Sequence, residues 1–179
     1  MRPIVADILS LFQYVKHIQQ DPRSFRPDVC PYCGRKNPRC HGHYARKADR
    51  ENPSHSSLNP IWIFRFYCPD CCRTCSVLPE CIPPHRWYLW VIQQAVLELF
   101  FLGQSFRKIS QQLLPSRWTI SRWVVRLRKR FELHALHLKS LFSWLGYTSG
   151  FIEFWQRCLA KMSLSTAMLQ LNNLGVVIP

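Results

Sequence analysis

The chain has 179 residues, 24 Lys and Arg against 10 Asp and Glu, a formal charge of +14 and nine cysteines. This length fits one ordinary domain or two small ones, and the charge predicts a polyanionic partner, nucleic acid before an acidic membrane surface. No run reaches the ~18 apolar residues of a spanning helix, and past residue 81 only Glu98, Glu132 and Glu153 are acidic, too few for the converging carboxylates of a two-metal nuclease or integrase.

Residues 1–20 carry Ile4, Ile8, Leu11, Phe12, Val15 and Ile18 at helical spacing, which predicts one amphipathic helix ended by Asp21-Pro22 and Arg26-Pro27. Asp7 and Lys16 interrupt the apolar run and no small-residue cleavage site follows, so the stretch does not read as a secretory signal. The expectation is a cytoplasmic, nucleoid-associated protein. In that reducing setting clustered cysteines bind metal rather than form disulfides.

Eight of the nine cysteines lie between Cys30 and Cys81, in a stretch whose own apolar core could hardly stabilise it. Cys30-Pro31-Tyr32-Cys33-Gly34 and Cys68-Pro69-Asp70-Cys71 are paired C-x-x-C knuckles. A turn of this length brings two sulfurs to one side, and two such pairs close a tetrahedral structural zinc site. Thirty-four residues separate Cys33 from Cys68, more than the ~15–20 of common patterns. A polar loop over residues 48–60, inserted at a hairpin tip, accounts for the excess. Cys72-Arg73-Thr74-Cys75 offers a competing register; Pro69, mirroring Pro31, favours Cys68 and Cys71. Cys40, His41, His43 and His55 are further ligand candidates, with plainer readings preferred: Cys40 and Cys81 as small buried residues, His41 and His43 on a strand, His55 in a loop. A catalytic metal would need an open position and a base, and neither Asp70 nor Glu80 sits in an H-x-E or H-E-x-x-H context. Residues 61–67 alternate Trp62, Phe64 and Phe66 against Ile63, Arg65 and Tyr67, a strand signature.

Pro83-Pro84 marks a boundary, and the pattern is helical beyond it. Residues 87–102 predict a first helix, with Leu89, Ile92, Val96 and Leu99 on one face and Gly103 as its stop. Residues 105–113 predict a short second one with Ser105 as N-cap, Leu114-Pro115-Ser116 a tight connection, and residues 117–131 a third. Residues 133–145 and 151–171 predict two more, around Gly146 and Gly150. From Gly103 to Arg130 there are eight basic residues and no acidic one. Ile120, Val124, Leu127 and Phe131 fall on one stripe of the third helix, opposite Trp118, Arg122, Arg126 and Lys129. Trp123 flanks the stripe and reads as core. Helix, short turn and helix is the spacing that sets the second helix into the major groove of DNA by its N-terminal end. On that expectation Arg117, Trp118, Ser121 and Arg122 meet base edges, while Thr119, Arg107, Lys108 and Arg126 meet phosphates. The plainer alternatives are a solvated basic face, or a helix lying on acidic lipid.

The order of parts resembles the N-terminal DNA-binding part of bacterial insertion-sequence transposases, and small zinc-ribbon/helix-turn-helix proteins related to them. The residues that carry the resemblance are the two knuckles, His41-Gly42-His43-Tyr44-Ala45-Arg46-Lys47 and Arg65-Phe66-Tyr67. They continue with Arg73-Thr74-Cys75-Ser76-Val77-Leu78-Pro79 and the segments Ser105-Phe106-Arg107-Lys108-Ile109 and Ser116-Arg117-Trp118-Thr119-Ile120-Ser121-Arg122-Trp123. It covers roughly residues 28–131. Cys72 stands where such a second knuckle usually has Gly, and Cys75 where an aromatic is common. A catalytic half with an acidic triad has no counterpart here, so the resemblance implies recognition of element or promoter DNA rather than strand cleavage.

The expected protein is α+β, mainly α: an N-terminal helix and linker (1–27), a zinc ribbon (28–82), a helix-turn-helix domain (83–131) and C-terminal helices (132–179). In the last segment Leu136, Leu141, Phe142, Trp144, Phe151, Phe154, Trp155 and Leu159 would pack on the preceding helix or form a homodimer seam. The expected function is sequence-specific binding of double-stranded DNA by a non-enzymatic, transposase-related protein. Structural Zn2+ on Cys30, Cys33, Cys68 and Cys71 is its only cofactor, and no membrane or small-molecule substrate is implied. A transcriptional regulator built from the same parts is the alternative. So is an RNA-binding or protein-docking zinc module, using Trp62, Phe64 and Phe66 as a stacking face unless these are its core.

Overall fold

A computed structural model describes residues 4–47, 58–84, 88–176 and 178. The chain forms two compact units, Met1–Leu89 and Trp90–Pro179. The architecture is mixed, with seven α-helices and two small sheets among the described residues. No helix there is long and apolar enough to cross a membrane.

The first unit opens with β1 (Ile4–Val5) and α1 (Leu11–Gln20). The helix predicted over residues 1–20 is therefore half its expected length. Asp7 takes a left-handed φ of 67°, and Ser10 then caps α1 in a reciprocal capping box with Gln13, so the helical hydrogen-bond ladder starts there. Upstream, Ile4 pairs in parallel with Leu78 of β5 (Leu78–Pro79).

Next come β2 (Arg39–Arg46), β3 (Ile61–Cys68) and β4 (Arg73–Cys75), an antiparallel sheet in the order β2-β3-β4. Register slips between Cys40, opposite Phe66, and His43, opposite Phe64. One extra residue in β2 makes a bulge there, and Gly42 occupies it at a φ of 85°. Burial along β3 changes parity although the strand itself is regular. Ile61 and Ile63 are buried at one end, but Phe66 and Cys68, of the other parity, are buried at the other. Trp62, Phe64 and Phe66, alternate residues on one face of β3, grade from exposed through half-buried to buried, so of the three only Phe66 is core. Ile61 and Ile63 pack in a cluster with Ile8, Leu11, Tyr14, Phe25 and Leu78, which seats α1 against the sheet. Tyr14, fully buried, donates its hydroxyl to the Trp62 carbonyl at 2.9 Å.

The second unit contains α2 (Trp90–Phe101), α3 (Phe106–Gln112), α4 (Arg117–Lys129), α5 (Phe131–Leu141), α6 (Phe151–Lys161) and α7 (Leu164–Asn173). Trp87, predicted to start the first helix of this series, lies outside the described residues. The buried side of α2 is Trp90, Gln93, Val96, Leu97 and Phe101, which keeps only Val96 of the predicted stripe; Leu89 precedes the helix. The helix predicted over residues 133–145 begins at Phe131, ends at Leu141 and continues as a 3-10 turn, Ser143–Leu145. The one predicted over 151–171 is two helices. Ser163 breaks it by accepting from the N–H of Thr166 at 3.1 Å, capping α7.

The core of this unit joins Trp90, Leu97, Val124, Leu127, Leu138, Phe154, Trp155, Leu164 and Leu171. Of the residues expected to pack or form a seam, Phe154 and Trp155 are fully buried. Phe142, Trp144, Phe151 and Leu159 are half-buried against that core. Leu136 and Leu141 are exposed, at 66% and 43%.

Candidate metal centre and basic helix pair

Two turns of the first unit converge at four sulfurs. In the first, the Cys30 N–H donates to the Arg35 carbonyl at 2.7 Å and the Gly34 N–H to the Cys30 carbonyl at 2.9 Å. Gly34 has a φ of 71°, a left-handed conformation that glycine takes without a steric penalty. The second turn leaves β3 at Cys68. It bends at Cys72, whose φ is 54° and which follows Cys71 as Gly34 follows Cys33. The two knuckles thus share one backbone design, and Cys72 holds the glycine position with a side chain that costs about 1–2 kcal/mol there.

Cys30 Sγ lies 3.6 Å from Cys71 Sγ, and Cys33 Sγ 3.6 Å from Cys68 Sγ. All four sulfurs lie within 4.8 Å of one another. Sulfurs bound tetrahedrally at ~2.3 Å sit about 3.8 Å apart, so the spacing fits a single ion, and four thiolates complete its shell. The set suits a soft or borderline cation rather than Mg2+ or Ca2+.

The thiols differ in how readily they ionise. Burial pushes Cys30 up, but the Tyr32 and Cys33 amides and the neighbouring sulfurs bring it down to about 7. Cys71 is pushed up to about 12, by loss of water and by the thiols of Cys30, Cys33 and Cys68, against the Arg73 amide. A metal that binds here displaces protons, which ties its affinity to pH.

The remaining cysteines stay outside the cluster. Cys72 is exposed, with its sulfur 3.5 Å from the Pro69 carbonyl. Cys75 is buried in β4 opposite Phe66. Burial pushes Cys81 and Cys158 up to about 12, so both are poor nucleophiles. Cys40 is exposed rather than buried as expected, because it sits on β2 beside the bulge. His41 and His43 do lie on that strand, away from the sulfurs, and His55 lies outside the described residues.

In the second unit, α3 and α4 are joined by residues 113–116. Ser105 and Ser116 cap them by accepting from the N–H groups of Lys108 at 3.3 Å and Thr119 at 3.4 Å. Ile109 and Ile120 are fully buried, and Trp123, Val124 and Leu127 nearly so, which leaves the other side of α4 in water. Arg117, Trp118, Arg122 and Arg126 are exposed there, and Arg107 and Lys108 are exposed on α3. Ser121 and Thr119 are half-buried, and the Thr119 hydroxyl lies 3.1 Å from that of Ser116. Trp118 is 70% exposed with the Arg117 guanidinium 5.6 Å from its ring centre.

Sequence patterns missed one arrangement in the first unit. The His43 ring stands edge-on to Trp62, centroids 4.6 Å apart, and 5.9 Å from Phe64, while His41 lies 5.6 Å from Tyr67. Trp62 is 49% exposed. The only sequence signal was Gly42 between two histidines.

No curated protein and no solved structure matches the chain. Residues 30–123 match a family described as a domain of unknown function (DUF6431). The match begins at the first metal-site cysteine, takes in both knuckles and ends on α4 at Trp123, spanning more than half of the 179 residues. The chain therefore belongs to the DUF6431 family.

Proposed function

We propose that this protein is a sequence-specific binder of double-stranded DNA, related to the recognition part of insertion-sequence transposases and without a catalytic domain of its own. The observation that carries the reading is α4 itself. Its apolar side is buried, while Arg117, Trp118, Arg122 and Arg126 stand in water. A capped helix reached through a short turn from α3, with no acidic residue from Gly103 to Arg130, is suited to a groove lined by phosphates. Arg117 and Arg122 are the candidates for bidentate contacts to guanine, with Ser121 and Trp118 beside them. Arg107, Lys108, Arg126 and Thr119 serve the backbone.

The four-cysteine site holds Zn2+ in this reading, since a closed thiolate shell is the composition of structural zinc. The ion supplies folding energy to the two cysteine turns, whose residues lie outside the apolar cluster of Ile8, Leu11, Tyr14, Ile61, Ile63 and Leu78. Leu133 and Leu136, exposed one turn apart on α5, support a homodimer that would read palindromic half-sites. A cytoplasmic, nucleoid-associated location follows from the partner.

The test is selection of a duplex from a random pool by the zinc-loaded chain, followed by affinity across a salt series. Binding should fall steeply with salt, and Arg122→Ala should lower affinity for the selected site about tenfold or more. Equal or tighter binding to single-stranded RNA would overturn the reading.

A further inference from the structure

The first unit carries an open aromatic surface that the metal site does not use. Trp62 is 49% exposed on β3, with His43 of β2 edge-on at 4.6 Å and Phe64 half-buried beside them. The strand beneath the indole is anchored to α1. The buried Tyr14 hydroxyl holds the Trp62 carbonyl at 2.9 Å, and the bulge at Gly42 marks where β2 changes register next to His43. Bulges of this kind re-aim side chains beside binding sites.

The segments that build this hairpin are basic. Arg35, Lys36, Arg39, Lys47 and Arg65 are exposed on the same small unit. Neither residues 29–47 nor residues 58–69 contain an acidic side chain. A half-open indole beside an imidazole, on a unit that exposes several cations, complements a ligand that offers both flat rings and phosphates. An acidic peptide would use the charge and leave the ring faces idle. A purely apolar partner would strand the cations.

We infer that Trp62, with His43 and Phe64, forms a stacking platform for unpaired bases of single-stranded DNA. The choice of DNA over RNA rests on the proposed duplex-binding role of α4. The platform is a second, sequence-tolerant contact in a different unit, because every base has a face to stack.

The experiment uses the full, zinc-loaded chain and a fluorescent deoxythymidine oligomer of about ten nucleotides, a length suited to a small single-strand site. Wild type binds the oligomer, Trp62→Ala lowers affinity about tenfold or more, and Trp62→Phe keeps most of it. His43→Ala weakens binding to a lesser degree. Inorganic polyphosphate, which has charge but no bases, binds wild type and Trp62→Ala equally. Unchanged metal content and far-UV circular dichroism show that the variants are folded.

The inference is overturned by oligomer binding that is absent or indifferent to Trp62→Ala, by an equal loss for polyphosphate, or by tighter binding of the matching uridine oligomer. Arg122→Ala separates the two readings. It lowers duplex affinity and leaves oligomer affinity unchanged, whereas failure of the duplex reading alone shows as unchanged duplex affinity with Trp62-dependent oligomer binding intact.

Discussion

His134 offers a quantitative test of how the second unit is packed. Its side chain is fully buried on α5, edge-on to Trp155 with ring centres 6.1 Å apart, and neither ring nitrogen has a hydrogen-bond partner among the described residues. Burial pushes its pKa from the ordinary 6.5 down to about 4, with smaller contributions from Arg130 and His137. The unfolded imidazole therefore takes up its proton near pH 6.5, and the folded one only near pH 4. Between those values the unfolded state binds more protons, so the stability present above pH 6.5 is lost as the pH falls towards 4. Between pH 7 and pH 5 this one group removes about 2 kcal/mol. In His134→Leu the loss disappears. Because the variant also removes two unpaired polar atoms, it should be at least as stable as wild type at pH 7. Urea unfolding of the full chain, followed by circular dichroism at a helical wavelength, reports mainly on this unit, which holds six of the seven α-helices among the described residues. The gap between variant and wild type should widen by about 2 kcal/mol from pH 7 to pH 5. A parallel acid response of the two proteins would refute the reasoning, as would an NMR titration of His134 near its ordinary value.

Other perturbations address the metal turns and the helix pair. Cys33→Ser should abolish stoichiometric metal binding and with it the first unit's sheet, read by metal analysis and near-ultraviolet circular dichroism. Cys72→Gly should keep full metal content and leave stability equal or higher by up to about 1 kcal/mol, because relief of a left-handed side chain is partly offset by glycine's greater entropy when unfolded. Loss of metal in that variant would make Cys72 a ligand. Ile120→Ala, at a fully buried site on α4, should cost about 2–5 kcal/mol in urea unfolding. Ser116→Ala should cost about 1 kcal/mol by removing the cap of α4, with little change in metal content.

Much of the metal site was legible because its information is local. Two short knuckles specify their own turns, and the sulfurs they present need only one pairing, β2 with β3, to meet. The α3–α4 pair was legible for a similar reason, since a serine before each helix and an apolar period within it agree. What the sequence hid was non-local or one residue wide. Pairing of Ile4 with Leu78 spans most of the first unit, and no periodicity in residues 1–20 distinguishes it from a longer helix. A single inserted residue at the β2 bulge shifted the pairing with β3, and the two ends of β3 bury residues of opposite parity, although the strand itself was predicted. The break at Ser163 has neither proline nor glycine, so an apolar run read as one helix became two. The resemblance to transposase recognition modules rests on the order of parts, and the DNA-binding assays above are what would turn it into a function.

The capped start of α4 has an electrostatic consequence. Its first turn contains no acidic residue, while its last carries Arg126, Arg128 and Lys129. The peptide dipoles place roughly half a positive charge at the N-terminal end, and here no side chain cancels it. The three cations at the other end meet the negative pole and are partly offset by it. The backbone thus adds positive potential at the turn where Arg117 and Trp118 begin and subtracts some beside Arg126, Arg128 and Lys129, through groups that no substitution removes. Replacing the arginines would leave a residual pull on any anion, so under the proposed DNA-binding role selectivity among duplexes should fall before affinity for polyanions in general does.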